Sequence, residues 1–407
     1  MTTKQQQRDY IRELARQIAE IAASPKNEEI KRRWRDVNAL RRPDRAPVWC
    51  RPAGCWSELL PDEALKCQDP WLRRLEIAFR RDLIKHDIGD DTPMESYFGV
   101  HAAFDRHPKE GWGVDTNVKL QPDTPEGGWY WVAPLKTEAD YDKLVMPRYS
   151  YNPRKTQQMM DAANDLLGDI LPVKLVAESL LGGTLGGSAQ RLRGLTQMML
   201  DCADSPELMH RLMRFVTDTV LKQMDVVEAT GLLTPNNEGP MNCSDPVGPP
   251  PVDGKYGYKN QWIMANSQEF DQIGPRMWEE FLLNYQKPIF ARYGLVGYGC
   301  CENLTSKIDG VLTIPNLRIF VCSGWTNLDK VIEKVGKKYT IMWRQKASEV
   351  VFAEDVAPIR AHLENGLKKL QGHYIQIVLR ELQTLRGNMD RLHLWTRTAQ
   401  ELAAKYA

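Results

Sequence analysis

The sequence has no apolar run approaching the ~20 residues that a bilayer-spanning helix requires, and it lacks an excess of charge of either sign. Lysine and arginine number 54 against 53 aspartates and glutamates in 407 residues, a formal balance of +1. Such neutrality offers no global attraction for nucleic acid or another polyanion, so neither a nucleic-acid nor a membrane partner is expected. The first residues, MTTKQQQRDYIRELARQ, are polar and charged, unlike the apolar core of a secretory signal, and a cytoplasmic location is expected. Histidine is scarce: the 7 residues form no metal-spaced pair. Nucleotide fingerprints are missing too. GGTLGG (182–187) lacks the Walker lysine and misses the dinucleotide spacing, so it reads as a flexible loop.

Cysteine and tryptophan are well supplied. The 8 cysteines, in a chain of this length and expected compartment, read as free thiols with a metal site, not a disulfide framework. Cys300 and Cys301 are adjacent, and neighbouring thiols rarely bridge because their Cβ atoms diverge in extended chain. Several of the 12 tryptophans flank Gly, Pro or Cys, among them Trp49, Trp56, Trp112, Trp129, Trp131, Trp262 and Trp325. They either fill a large core or wall a cavity for a flat apolar ligand.

Hydrophobic periodicity divides the chain. Residues 4–23 and 71–86 are amphipathic helices within a charged, proline-broken N-terminal region, 1–94, expected to be a helical and loop extension. From about residue 95 strands and helices alternate: strand patterns at 97–103, 127–132, 173–178, 232–234, 295–299, 317–322, 339–343 and 374–379, helical ones at 140–144, 153–167, 205–231, 275–293, 326–335, 356–370 and 389–405. Ser205 and Pro206 mark the start of the clearest helix and Gly231 its end. Residues 241–261 form a long polar loop of the kind that is functional or mobile. The fold class expected is α/β, a (β/α)8 TIM barrel over 95–407 carrying the N-terminal helical extension.

In such a barrel the chemistry lies at the C-terminal strand ends. That rule gathers Glu178, the run Asn236, Asn237, Glu238, the run Cys300, Cys301, Glu302, Asn303, and Cys322, Ser323, Trp343, Arg344, Arg380 and Glu381. Thiolates with a carboxylate suit zinc, which takes S, N and O donors tetrahedrally and keeps an open position when catalytic. Glu238 is either a turn residue or, as a strand-end carboxylate, a general acid or a ligand for metal or substrate.

The stretches SQEFDQIGPRMWEEFLLNYQKPIFARYGLVGYGCCENL (267–304) and IPNLRIFVCSGW (314–325), with TPNNEGP (234–240) and RELQTLRGNMDRLHLW (380–395), resemble a branch of the uroporphyrinogen decarboxylase superfamily. Besides porphyrin decarboxylases, that superfamily includes zinc methyltransferases working with corrinoid proteins, on the same barrel. The resemblance implies a metal shell on the stretch around Cys301 and on the last strand. Familiar members carry a His-x-Cys pair and a final Cys, whereas here Gly299 stands at the His position and Glu381 at the last Cys. Cys301, Cys300 and Glu381 are therefore the expected zinc ligands.

Three functions are weighed. The first is the methyltransferase component of an O-demethylase, moving a methyl group from an aryl methyl ether of guaiacyl or veratryl type to the Co(I) corrinoid (cobalamin) of a partner protein. No DxHxxG-like corrinoid signature occurs in this chain, so the cofactor would come with that partner. Glu238, Glu302 and Asn237 are the expected catalytic residues, and Tyr298, Trp262, Trp325, Trp343 and Asn236 the expected substrate contacts. The alternative is a metal-free decarboxylase of a porphyrin or other polycarboxylate, which requires cationic side chains such as Arg42, Arg45 and Arg51 in the pocket. The third, a corrinoid-holding module without activity, leaves the strand-end thiols and carboxylates unexplained.

Overall fold

A computed structural model describes residues 3–109, 111–116, 118–120 and 129–407. The molecule is α/β, built on a curled, wholly parallel sheet of six strands. In spatial order these are Val48–Cys50, Tyr374–Leu379, Thr340–Gln345, Leu317–Cys322, Leu295–Tyr298 and Trp262–Ala265. Phe98–His101 and Val173–Val176 form a separate parallel pair. Phe104–His107 with Arg148–Tyr151, and Val118–Leu120 with Trp129–Trp131, are antiparallel ribbons. The expected aromatic strand over 127–132 is thus present at Trp129–Trp131, while residues 127 and 128 lie outside the described residues.

Strand pairing among the described residues does not run on into a closed eight-stranded ring. Side chains make the links where it stops. Between Val48–Cys50 and the pair, the Val48 amide donates to the Asp91 carboxylate at 2.7 Å, the Asp91 amide donates to Val48 O at 2.7 Å, and the Cys50 amide donates to Asp90 at 2.8 Å. On the other side, the expected strand at 232–234 is irregular. The Thr234 amide donates to Ala177 O at 3.0 Å, then Pro235 has no N–H to continue a ladder. The Asn236 amide group instead brackets Trp262, accepting from its N–H at 2.8 Å and donating to its C=O at 3.0 Å.

Both faces of the sheet are covered, as an all-parallel sheet requires. One face, with Val48, Ile263, Tyr298, Phe320, Trp343 and Leu379, packs against helices Pro206–Ala229, Ala357–Leu370 and Asp390–Lys405. The opposite face, with Trp49, Trp262, Val321, Met342 and Val378, packs against Ile30, Trp34 and Val37 of helix Pro25–Asn38 and against Cys243 and Val247. The 241–261 loop is therefore partly core. Met241 O accepts from Gln376 and Asn38 at 2.9 and 2.8 Å, and Ser244 Oγ accepts from the Trp262 indole at 3.0 Å. The N-terminal segment, expected as an extension, also supplies the edge strand Val48–Cys50.

Helix Lys4–Ala22 starts with a Thr3–Gln6 capping box and buries Ile11, Leu14, Ala15 and Ile18. Helix Pro206–Ala229 has Pro206 in its first turn, but the Ser205 side chain makes no capping hydrogen bond. Two of the glycines of 182–187 serve close approach: a Cβ on Gly183 would lie 2.8 Å from Ile263 Cδ1, and one on Gly186 2.6 Å from the Glu269 carboxylate. No helix among the described residues is long and apolar enough to cross a membrane.

Asp91 is the most heavily engaged of these links. Its carboxylate, 2% exposed, takes Arg33 at 2.8 Å, Arg45 at 2.6 Å and the Val48 amide. Asp91→Ala takes from Arg45 its carboxylate partner, leaves Arg33 with Asp44 alone, orphans the Val48 amide, and is expected to cost about 3–5 kcal/mol, measured by urea denaturation. A loss under about 1 kcal/mol, the surface-pair range, would contradict this role.

Candidate functional site

Because the six strands are parallel, their C-terminal ends share one edge of the sheet. Cys300 and Cys301 follow strand Leu295–Tyr298, Arg344 stands near the end of Thr340–Gln345, and Arg380 and Glu381 follow Tyr374–Leu379. The ligand atoms of Cys300, Cys301 and Glu381 all lie within 4.8 Å of one another, and no other such group occurs among the described residues. The two sulfurs are 3.5 Å apart, and Cys301 Sγ donates to Glu381 Oε1 at 3.1 Å. Arg344, with a fully buried side chain, donates through Nη1 to Glu381 Oε1 and to Cys300 O, each at 2.8 Å. Its Nε has no hydrogen-bond partner.

Local backbone constraints build this cluster. Gly299 has φ +115°, and a Cβ there would lie 2.8 Å from Val321 Cβ. No side chain fits, so a histidine ligand at that position is excluded sterically. Glu381 is a non-glycine residue at φ 62°, a strained conformation of the kind held at functional sites. Glu302 is 3% exposed and accepts from the Ser267 amide at 2.7 Å, Ser267 Oγ at 3.1 Å and the Cys300 amide at 2.9 Å. It ties the ends of two neighbouring strands together and fixes the backbone of Cys300, and its burial raises its pKa.

The electrostatics of the thiol pair are asymmetric. The Cys301 hydrogen bond is the main influence holding the Cys300 thiol down to about 5, opposed by burial and assisted by Arg344 and Arg380. Cys301 is pushed upward by its hydrogen bond with Cys300, by burial and by Glu381. The pair thus rests as one thiolate and one thiol. The donor set suits zinc: two thiolates on a tetrahedral ion with Zn–S near 2.3 Å stand about 3.7 Å apart, close to the separation present.

The other expected residues are distributed elsewhere. Tyr298 is fully buried, with its hydroxyl donating to Gln286 at 3.0 Å. Trp262 is 2% exposed, and Trp343, stacked on His362, is 4% exposed on the helix-covered face. Cys322 is buried on that same face. Trp325 is 61% exposed at the strand-end edge beneath Lys346. Asn237 donates to Ser244 O at 2.8 Å, so both Asn236 and Asn237 are engaged in holding loops.

Glu238 lines a different feature, a cavity of about 680 Å³ between the Val48–Cys50 end, the Phe98–His101 pair and the 235–242 turn. Asp82, Glu95 and Glu178 line it too, with Trp49, Trp56 and Tyr97. Burial raises Asp82 to about 6, with Glu95 adding repulsion. Glu95 is raised by burial and then by Glu238 and Glu178, against a lowering by Lys31. Cys300, Cys301 and Glu381 do not line this cavity, but Arg51 on its wall acts on Arg380, which in turn acts on Cys300. Asp82 and Glu95 were not anticipated from sequence. The available signal was the spacing Glu76, Phe79, Asp82, Lys85 along one stripe of helix Pro70–Ile88, with Glu76, Phe79 and Lys85 all buried.

Cys300 is expected to alkylate with iodoacetamide as a thiolate down to about pH 5, with the rate falling below that, while Cys301 stays unreactive. Cys301→Ala removes the donor and moves the Cys300 profile to higher pH. Peptide mass spectrometry against pH reads both, and a Cys300 profile with an ordinary thiol midpoint refutes the assignment.

No protein-family model matches the sequence, and no curated protein does. Among solved structures, a methyltransferase from Methanosarcina mazei is similar in fold, with a TM-score of 0.54 over 91% of this chain and 98% of that one, at 11% sequence identity.

Proposed function

We propose that the chain is a methyltransferase of the uroporphyrinogen decarboxylase-like (β/α)8 type, with residues 95–407 forming most of the barrel and 1–94 adding the strand Val48–Cys50 and helices packed on it. It moves a methyl group from a small aromatic methyl ether to the Co(I) corrinoid of a partner protein. The observation that carries this reading is the convergence of Cys300, Cys301 and Glu381 at the strand-end edge beside two arginines. The fold shared with a methyltransferase supports it.

Cys300, Cys301 and Glu381 would hold a zinc ion, which when bound supplies Lewis acidity toward the departing oxygen. Arg344 and Arg380 offset the negative charge of two sulfurs and a carboxylate, and Glu302 keeps Cys300 in place through its amide. In the transfer, the methyl–oxygen bond breaks with its electron pair left on oxygen, and the cobalt pair forms the new bond to carbon. The phenolate then takes a proton. Asp82, raised by burial to about 6, and Glu95, whose proton affinity burial also raises, can exchange that proton on the cavity side beside Glu238. A decarboxylase of a polycarboxylate is disfavoured by the same wall, where acidic side chains outnumber the cations Arg51 and Lys85 and Lys85 is already paired with Asp90.

The protein alone should release no phenol from an aryl methyl ether. With reduced corrinoid, free or protein-bound, phenol and methylcobalamin should appear in equal amounts. About one zinc per chain is expected by metal analysis. Cys301→Ser should weaken zinc binding by more than the ~10–100-fold that loss of an outer partner costs, with the fold retained by circular dichroism. Demethylation without corrinoid, or carbon dioxide release from a porphyrinogen, would falsify the reading.

A further inference from the structure

Two arginines beside the thiol cluster stand next to each other. Strand Val48–Cys50 runs parallel to Tyr374–Leu379 with Trp49 opposite Val378 and Cys50 opposite Leu379, and the Arg51 amide donates to Leu379 O at 2.8 Å. Continuing that register sets Arg51 beside Arg380, at the spacing of about 4.8 Å between neighbouring strands. Side chains two residues apart along a strand share a face. Arg51 and Arg380 therefore follow Trp49 and Val378 onto the sheet face that also carries Met342. Arg344 is on that face too, with Nη2 donating to Met342 Sδ at 3.6 Å.

The two differ from Arg344 in having no partner. Neither the Arg51 nor the Arg380 side chain makes a hydrogen bond or an ion pair with a described residue. Arg344 is committed through Nη1 to Glu381 and to Cys300 O. The charges of the cluster close without Arg380. Two thiolates and the Glu381 carboxylate carry three negative charges, a zinc ion in that shell would return two, and Arg344 returns the third. Glu302 is already held by two amides and a hydroxyl. Arg380 is half-buried and feels both Arg344 and Arg51 as like charges. Like charges opposite each other on neighbouring strands are destabilising, and partial burial adds to the cost unless an anion joins them. Arg51 also lines the cavity of about 680 Å³, so the arginine pair borders a space wide enough for an aromatic ring.

We propose that Arg380 and Arg51 form an oxyanion seat for a phenolate, and, resting on the methyl-transfer reading, that they receive the ether oxygen as it loses its methyl group and keeps the bonding pair. Arg380 is then a catalytic residue, while Arg344 positions the thiol shell. The carboxylates Glu95, Glu178 and Glu238 on the cavity wall turn the oxygen toward the arginines. A guanidinium is always charged and offers a fork of N–H donors. It binds an anionic oxygen more strongly than the neutral ether from which that oxygen forms, and this difference is what lowers a barrier.

4-Nitroanisole and 4-nitrophenol test this on the full chain, because they differ only in the methyl group and in the charge its loss uncovers. Binding is followed by calorimetry and by the visible band of the phenolate, at a pH where the free phenol is ionised, with zinc added and after chelation. The phenolate is expected to bind at least about tenfold more tightly than the ether in both states. Arg380→Met should remove most of that preference and change ether affinity little, and Arg380→Lys should keep part of it. If Arg380→Met unfolds, Arg51→Met, at an exposed position, is read in its place and should lower the preference in the same direction. Equal affinity for phenolate and ether, a preference seen only with zinc, or a preference that both methionine variants leave intact overturns the proposal. A phenolate preference abolished in Arg380→Met, without methyl transfer to reduced corrinoid, counts against the methyltransferase reading alone. Methyl transfer with no phenolate preference counts against the oxyanion seat alone.

Discussion

Backbone hydrogen bonds that the sheet itself cannot make are the constraint on which this molecule depends. A parallel strand exposes N–H and C=O groups on both edges, and a buried group left unpaired costs more than a typical hydrogen bond contributes. Pairing stops on both sides of the two-stranded pair, and each stop is closed by carboxylates or amides. Asp90 and Asp91 serve the Val48–Cys50 edge, and Asn236 with Gln261 serves the Trp262 edge. The cavity opens at the first of these breaks, so the space for a ligand and the buried aspartates are two results of one interruption.

The same economy shapes the strand-end cluster. Gly299 permits the chain to turn against Val321, Glu302 binds the amide of Cys300, and Arg344 binds its carbonyl. Both polar backbone groups of Cys300 are thereby fixed, which leaves its sulfur against that of Cys301. Glu381 reaches them from a strand two places further along the sheet than the Leu317–Cys322 neighbour, at the cost of a left-handed backbone. Packing and hydrogen bonding therefore position the reactive atoms before any ligand is present, as preorganised sites require.

Legibility in the sequence followed the strength of the local pattern. Helix Pro153–Leu167 and strand Tyr374–Leu379 lie where periodicity placed them, because apolar spacing and flanking breakers agree there. Val48–Cys50 was hidden in an Arg- and Pro-rich stretch, since three residues are too few to show alternation. Trp262–Ala265 was hidden at the end of a polar loop whose buried parts are held by side-chain hydrogen bonds. Cys300, Cys301 and Glu381 were legible as strand-end residues, and the parallel topology brings them together. Asp82 and Glu95 were not, because one sits within a helix and the other before a strand. Only the third dimension turns them toward Glu238.

Two fields of opposite sign consequently meet at one edge of the sheet. Arg344 and Arg380 hold the thiol cluster in a positive environment, whereas the neighbouring cavity is lined by carboxylates. Arg51 stands between them, on the cavity wall yet close enough to act on Arg380. Negative charge is therefore better held at the thiol side than in the cavity. Such a gradient favours a reaction in which an oxygen gains electrons at the thiol side while the rest of the ligand stays anchored. Methyl transfer from an ether places its developing charge in that way, because the oxygen losing the methyl group keeps the bonding pair.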